Sequence, residues 1–306
     1  MNALQASLLM LAILFFAVLP MSRRIAWTYA RVVTLTLVAA VILMPFFWLV
    51  CSAFKDKSVL NEYTFLPPVS KIDSSTINFD NFRTLFAEQQ TVQGPVRFWR
   101  YIANSLFLAS TGTALALFFS SMGGYALAKY RFRGRTTIVI FMLACLTIPP
   151  VALLSPNYAV IWSLGWLDSY KALLIPGAVS IFGIFLFRQA LLGVPDDLIE
   201  AGRIDGCGEF RIYLQLAMPL VRPMTGAFCL ISFLGMWNSF LPPNVYLQTQ
   251  SKLPLPVVLN QFIGTYTQQY GVFLAGTLVA IIPPAILFFA LQKEFISGLT
   301  SGAVKQ

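Results

Sequence analysis

Residues 193–223 read GVPDDLIEAGRIDGCGEFRIYLQLAMPLVRP and set charged side chains beside turn-forming glycines. The chemistry these residue types offer is recognition, not bond-making. Glu200 and Asp205 supply exposed carboxylates, Gly206 permits close backbone approach, and Leu198, Ile199, Ile204 and Phe210 supply apolar contact. Pro195 suits the first helical position, and Asp196 and Asp197 complement the positive end of a helix dipole. Gly206 and Gly208 mark a break, after which Phe210 to Leu216 form a second amphipathic stretch running to Pro219. The expectation is a helix–turn–helix outside the bilayer, which by periodicity alone is either a docking surface or an ordinary connecting loop.

Other chemistries are excluded by residue type. The chain has no histidine, so His-based triads and His-ligated metals are ruled out. Its four cysteines, Cys51, Cys145, Cys207 and Cys229, form no C-x-x-C pair, which argues against a zinc site or a disulfide framework. No G-x-x-x-x-G-K-[ST] occurs to cradle a nucleotide's phosphates.

The elements that must position the loop are membrane spans. The 306 residues are 58% hydrophobic and 11% charged, with a mean hydropathy of +0.74. That is about half the charged share of a soluble domain and cannot clothe a water-facing surface. Apolar runs at 3–21, 32–53, 102–126, 136–156, 172–187, 219–242 and 271–292 are candidates to cross a hydrocarbon core of about 30 Å. The run at 172–187 is short, and Arg188 can snorkel to extend it. The segment 158–167, flanked by Trp162, Trp166 and Tyr170, reads as an interfacial or re-entrant piece.

Loop charges orient the spans. Arg23, Arg24 and Arg31, then Lys129, Arg131, Arg133 and Arg135, then Arg203 and Arg211, then Lys293 and Lys305 alternate with loops poor in cations at 157–171 and 243–270. The positive-inside rule therefore makes the C-terminus cytoplasmic, and seven spans leave the N-terminus outside. The net charge of +9 belongs to this bias and not to nucleic-acid binding. Residues 54–101 are polar and proline-containing, which predicts a small outward cap. No basic residue precedes Arg23, so 3–21 reads as a retained anchor and not a cleaved signal peptide.

The loop resembles the EAA motif of ABC-importer permeases. Glu200, Ala201 and Gly202 precede Gly206, and nine residues later come Leu216, Met218 and Pro219. Gly202 in place of the third alanine is expected to loosen the first helix by about 1 kcal/mol. GYALAKYRFRGR at 124–135, WNSFLPPNVYL at 237–247 and the tail GLTSGAVKQ at 298–306 are similar to family segments of the carbohydrate-uptake class, in particular the smaller permease subunit of maltose-type importers.

The resemblance implies an all-α membrane protein with a six-helix permease core over 32–306, to which 1–31 adds an extra helix and a basic link. It implies a non-catalytic subunit that pairs with a second permease, two ATPase subunits that bind the ATP and Mg, and an extracytoplasmic binding protein; this chain itself binds no cofactor or metal. It further implies that 193–218 is the coupling loop, with Glu200, Ala201, Gly202, Asp205, Gly206, Phe210 and Pro219 at the ATPase. The tail over 293–306, through Gly298, Leu299, Gly302 and Lys305, then reaches between the ATPase subunits.

Polar groups within spans face a cavity or a neighbouring helix, and Asn104, Ser105, Ser120, Ser121, Asn157 and Asn238 are such groups. For a sugar in the path, Trp237 offers a ring face, Asn238 an amide, and Asn104 and Asn157 further amides. An ion-gradient-driven transporter is the competing reading, disfavoured because the central spans carry no ionisable residue. A permease for a non-sugar solute and a non-transporting scaffold complete the alternatives.

Overall fold

The computed structural model describes residues 23–264 and 268–303, with side chains for 24–264 and 268–296. The expected first span at 3–21 lies outside them. The chain divides into two compact units at Asn81 and Phe82, a division that falls within the expected cap over 54–101.

In the first unit, helix α1 runs from Arg23 to Ala53. It begins well before residue 32, so the expected basic link is the first turns of the helix. The cause is local: arginine and alanine favour helix, and no glycine or proline interrupts Arg23–Met44. Beyond it, the fully buried Lys55 donates to the carbonyls of Tyr63 and Thr64. The Asn81 amide donates to the carbonyls of Ala53 and Lys55 at 3.0 and 2.8 Å, closing the loop on the helix end.

The second unit opens with the short helix α2, Asp80–Phe86, which straddles the division, and a hairpin of β1, Gln89–Thr91, with β2, Gly94–Val96. Helix α3, Phe98–Lys129, follows; at 32 residues it is about 48 Å long and outreaches the hydrocarbon core. The expected span at 136–156 is broken. Helix α4, Arg135–Cys145, and a second piece from Pro150 through α5, Leu154–Ser163, meet at 94°. Pro149 and Pro150 cause the break, since proline lacks an N–H and bars the preceding residue from helix. Residues 158–163 are thus the second limb of this bent pair.

Helix α6, Ile181–Leu192, starts at Ser180, whose hydroxyl accepts from the Gly183 N–H at 3.0 Å. Arg188 lies inside α6 and not at its end, because the helix continues to Leu192. Helix α7, Asp196–Ile204, and a second arm, Glu209–Leu220, form the helix–turn–helix, and α8, Arg222–Trp237, leaves the arm at 86°. Helices α9, Leu241–Tyr246, and α10, Leu255–Gln261, precede α11, Tyr270–Ala303. Among the described residues, four helices are long and apolar enough to cross a membrane (α1, α3, the stretch Lys171–Leu192 that ends in α6, and α11), or six if each bent pair is one span. The fold is that of an all-α membrane protein.

Helices α3, α6, α8 and α11 pack side by side through small residues. A Cβ on Gly124 would sit 2.6 Å from Phe187 Cβ, and one on Gly183 would sit 2.9 Å from Ser120 Cβ. The Ser120 hydroxyl accepts from the Ser180 N–H at 3.0 Å across the same crossing. Where α11 passes α8, Pro283 and Pro284 interrupt the hydrogen-bond ladder of α11. Pro284 has no N–H for the carbonyl of Ala280, and the Trp237 indole N–H donates to that oxygen instead, at 3.2 Å.

Candidate functional site

The helix–turn–helix is built as its sequence dictates, with one shift. Pro195 takes the cap position and Asp196 the first helical one. The end of α7 is a Schellman turn: Cys207 N–H bonds to the Gly202 carbonyl and Gly206 N–H to that of Arg203, both at 3.0 Å. Gly206 has φ +76°, the left-handed conformation such a turn requires. Gly202 is buried, and a Cβ there would lie 2.8 Å from Leu216 and 3.2 Å from Ile212. Its departure from alanine therefore lets the two arms lie close together, with the tip of Leu216 filling the space a methyl group would take. The second arm has a π-helical turn over Ile212–Ala217, a geometry that frequently accompanies functional sites.

One face of the loop is core and the other is open. Ile199, Ile212, Tyr213 and Ala217 are buried in a cluster with Tyr125, Phe187, Leu191 and Phe228 from the spans. Glu200, Ala201, Asp205, Gly206 and Pro219 are not part of that core: Glu200, Asp205 and Gly206 are exposed. So are two large apolar side chains, Ile204 at 86% and Phe210 at 55%.

Polar ties fasten the loop to the end of α3. The Lys129 side chain is 3% exposed, and its ammonium bonds to the Asp196 carboxylate at 2.6 Å and to the Val194 carbonyl. Tyr130 Oη donates to Glu209 at 2.6 Å, and Arg203 Nε donates to the other Glu209 oxygen at 2.7 Å. Deeper, the hydroxyls of Ser121 and Tyr213 bond at 2.7 Å. The Arg203 and Tyr130 hydrogen bonds hold the Glu209 carboxyl below its ordinary pKa. Burial, then Glu209, pushes the Tyr130 phenol up to about 12. The Lys129 hydrogen bond likewise holds Asp196 low.

The four residues proposed for a solute path have different surroundings. Asn104 is buried, and its amide donates to the carbonyls of Ser251 and Leu253 at 2.9 and 3.0 Å, a fastening role. Trp237 is 3% exposed and stacks on Phe233 at 5.8 Å, while Asn238 at the end of α8 is exposed. Asn157 lines a cleft of about 260 Å³ together with Ser105, Ser239, Tyr246 and prolines 176, 242, 243 and 254. Gly298, Leu299 and Gly302 belong to the last turns of α11, so the segment expected as a tail is helical to Ala303. Lys305 lies outside the described residues.

Two structural groups are not anticipated by sequence reasoning. Asp168 has φ +56° and accepts from the Gln248 and Thr249 N–H groups at 3.0 and 2.8 Å and from Lys252 Nζ at 2.8 Å. These bonds hold its carboxyl well below the usual range despite partial burial. They also join two loops some eighty residues apart. The ties from Lys129 and Tyr130 are the second group. The signal for them was present, since both end an apolar run and point beyond it.

Comparison with known proteins gives the class. The family described as "Binding-protein-dependent transport system inner membrane component" matches residues 95–299. The arabinooligosaccharides transport system permease protein AraQ of Bacillus subtilis is 38% identical over 76% of this chain and 81% of its own length. The lactose transport system permease protein LacG of Rhizobium radiobacter is 32% identical over 89% of this chain and 94% of its own. Among solved structures, a bacterial ABC transporter that imports the acidic polysaccharide alginate superposes with a TM-score of 0.74. At 24% identity, covering 90% of this chain and 98% of that one, it shows the shared fold. The chain belongs to the inner-membrane components of binding-protein-dependent transport systems. It is a multi-pass, non-catalytic ABC-importer permease, resembling those of the carbohydrate-uptake class.

Proposed function

We propose that this chain forms half of the path of a carbohydrate importer and couples it to ATP hydrolysis through the loop at 193–218. A second permease completes the path, two ATPase subunits carry the ATP and Mg, and an extracytoplasmic binding protein delivers the solute. Arabinooligosaccharide, lactose and maltodextrin permeases among the relatives support the carbohydrate assignment. The C-terminus and the loop lie on the cytoplasmic side.

The observation that carries the coupling role is the exposure of Ile204 and Phe210 on a loop whose other face is core. Apolar anchors held rigidly by a buried base suit a groove on a partner. Carboxylates of Glu200 and Asp205 flank them. Motion imposed there reaches α3 through Lys129 and Tyr130 as a rigid-body shift, because the loop and the span end are bonded together.

The test is transport and hydrolysis by the assembled complex in proteoliposomes. Ile204→Asp with Phe210→Asp should leave expression intact and lower hydrolysis stimulated by loaded binding protein at least tenfold. Undiminished stimulation would remove the docking assignment, and uptake by this chain alone on a sodium or proton gradient would sink the importer reading. Screening ligands of the cognate binding protein checks the solute class. The end of α11 and the residues after it contact the ATPase subunits in this scheme. Truncation before Gly298 that left coupled hydrolysis unchanged would remove that contact.

A further inference from the structure

Half of the fourteen residues lining one cleft of the second unit are glutamines, although the chain has only 13 among 306 residues. The cleft measures about 670 Å³, within the range of small-ligand sites. It lies between the β1–β2 hairpin, the segment 248–250 and the end of α10. By the loop-charge orientation this is the extracytoplasmic side. From these amides we infer that the cleft is a binding site for a neutral oligosaccharide at the mouth of the path. The inference rests on the carbohydrate reading above and adds a site to it.

The chemistry of the lining selects the ligand class. A primary amide both donates and accepts, which matches the paired hydroxyls of a sugar ring. Gln89 and Gln90 line the cleft from the hairpin, and Gln269 lines it from the residues that precede α11. The lining has no lysine or arginine, and its one ionised group, Glu88, is paired with Arg97 at 3.6 Å, so the cleft presents no unpaired charge and suits a neutral sugar. Phe262 contributes an aromatic face for the apolar side of a ring.

Several groups of the cleft are fixed by hydrogen bonds within the protein. Gln93 Oε1 accepts from the Gln250 N–H at 2.7 Å, and Gln250 Nε2 donates to Gln261 Oε1 at 2.8 Å. The Gln269 N–H bonds to the Phe262 carbonyl at 2.9 Å. Preorganised amides lower the ordering cost of binding. None of these groups overlaps the cleft that holds Asn157 or the cytoplasmic loop.

The experiment uses the assembled transporter in lipid nanodiscs, without binding protein, and saturation-transfer NMR. Arabinotriose and maltotriose are the neutral probes, and trigalacturonate is the acidic one. The expected result is transfer to a neutral probe, reduced at least fivefold by Gln90→Leu with Gln269→Leu and unchanged by Asn157→Ala. Both glutamines are exposed, so the fold should survive; Gln90→Ala with Gln269→Ala repeats the test with smaller side chains. No transfer, transfer insensitive to the glutamine variants, or preference for trigalacturonate would overturn the site. So would variants that weaken docking of the binding protein while leaving sugar transfer intact, since the cleft would then serve a protein surface. A binding protein that takes no carbohydrate would overturn the solute class instead, a separate result.

Discussion

Glu209 is the residue on which the two arms of the loop and the end of α3 converge, and its titration is a readout of that convergence. Its pKa is depressed, first by the Arg203 hydrogen bond and then by that of Tyr130. The bonded carboxylate therefore stabilises the fold above the ordinary glutamate range, and that contribution is lost as pH falls through the depressed value. Tyr130 has the opposite sign: its raised pKa means stability present below about pH 10 and lost as pH climbs toward about 12. Thermal unfolding of the purified chain in detergent should fall along both limbs. Glu209→Gln should flatten the acid limb and Tyr130→Phe the alkaline one; unchanged limbs would show that the tie is not made. At this scale the sequence was only partly legible. Glu200, Asp205 and Gly206 stood out by spacing, whereas Lys129 read as an ordinary loop charge and Glu209 was not singled out, although the fold brings each within 3 Å of a partner.

Elements depend on how closely they approach, and the α3–α6 crossing is the tightest place to test that. Alanine at Gly124 would put its Cβ 2.8 Å from the backbone nitrogen of Arg188, which cannot give without moving α6. We expect Gly124→Ala to cost about 1–3 kcal/mol, seen as a lowered unfolding temperature. Gly235 in α8 is the control: a methyl group there would meet nothing within 4 Å, and alanine should be neutral or slightly stabilising. Equal effects at both sites would mean that the crossing is looser than its geometry. Element types were legible because apolar runs of twenty residues have few alternatives. The breaks were less so: Pro149 and Pro150 were visible, but their 94° consequence depends on what α4 and α5 pack against. Gly202 shows the same limit, reading only as a propensity defect although it also lets Leu216 and Ile212 lie close against the first arm.

The whole molecule poses the question of sidedness, which loop charge alone answers at present. In a background lacking the four native cysteines, Val92→Cys on the hairpin should react with an impermeant maleimide added outside intact cells. Ile204→Cys, in cells lacking the ATPase subunits, should react only after permeabilisation. Both positions are highly exposed, so a reversed pattern would invert the topology. The membrane class and the family-like loop were legible from composition and spacing; the glutamine-lined cleft was not, since its members are scattered from residue 84 to residue 269. The Trp237–Ala280 hydrogen bond also bears on biogenesis. Helix α11 is the last long helix among the described residues, and its double proline leaves an acceptor that hydrocarbon cannot satisfy. The indole that satisfies it belongs to a helix synthesised some forty residues earlier. Leaving the translocon and finding α8 are then a single event for α11, and the order of synthesis ensures that the partner is already in place.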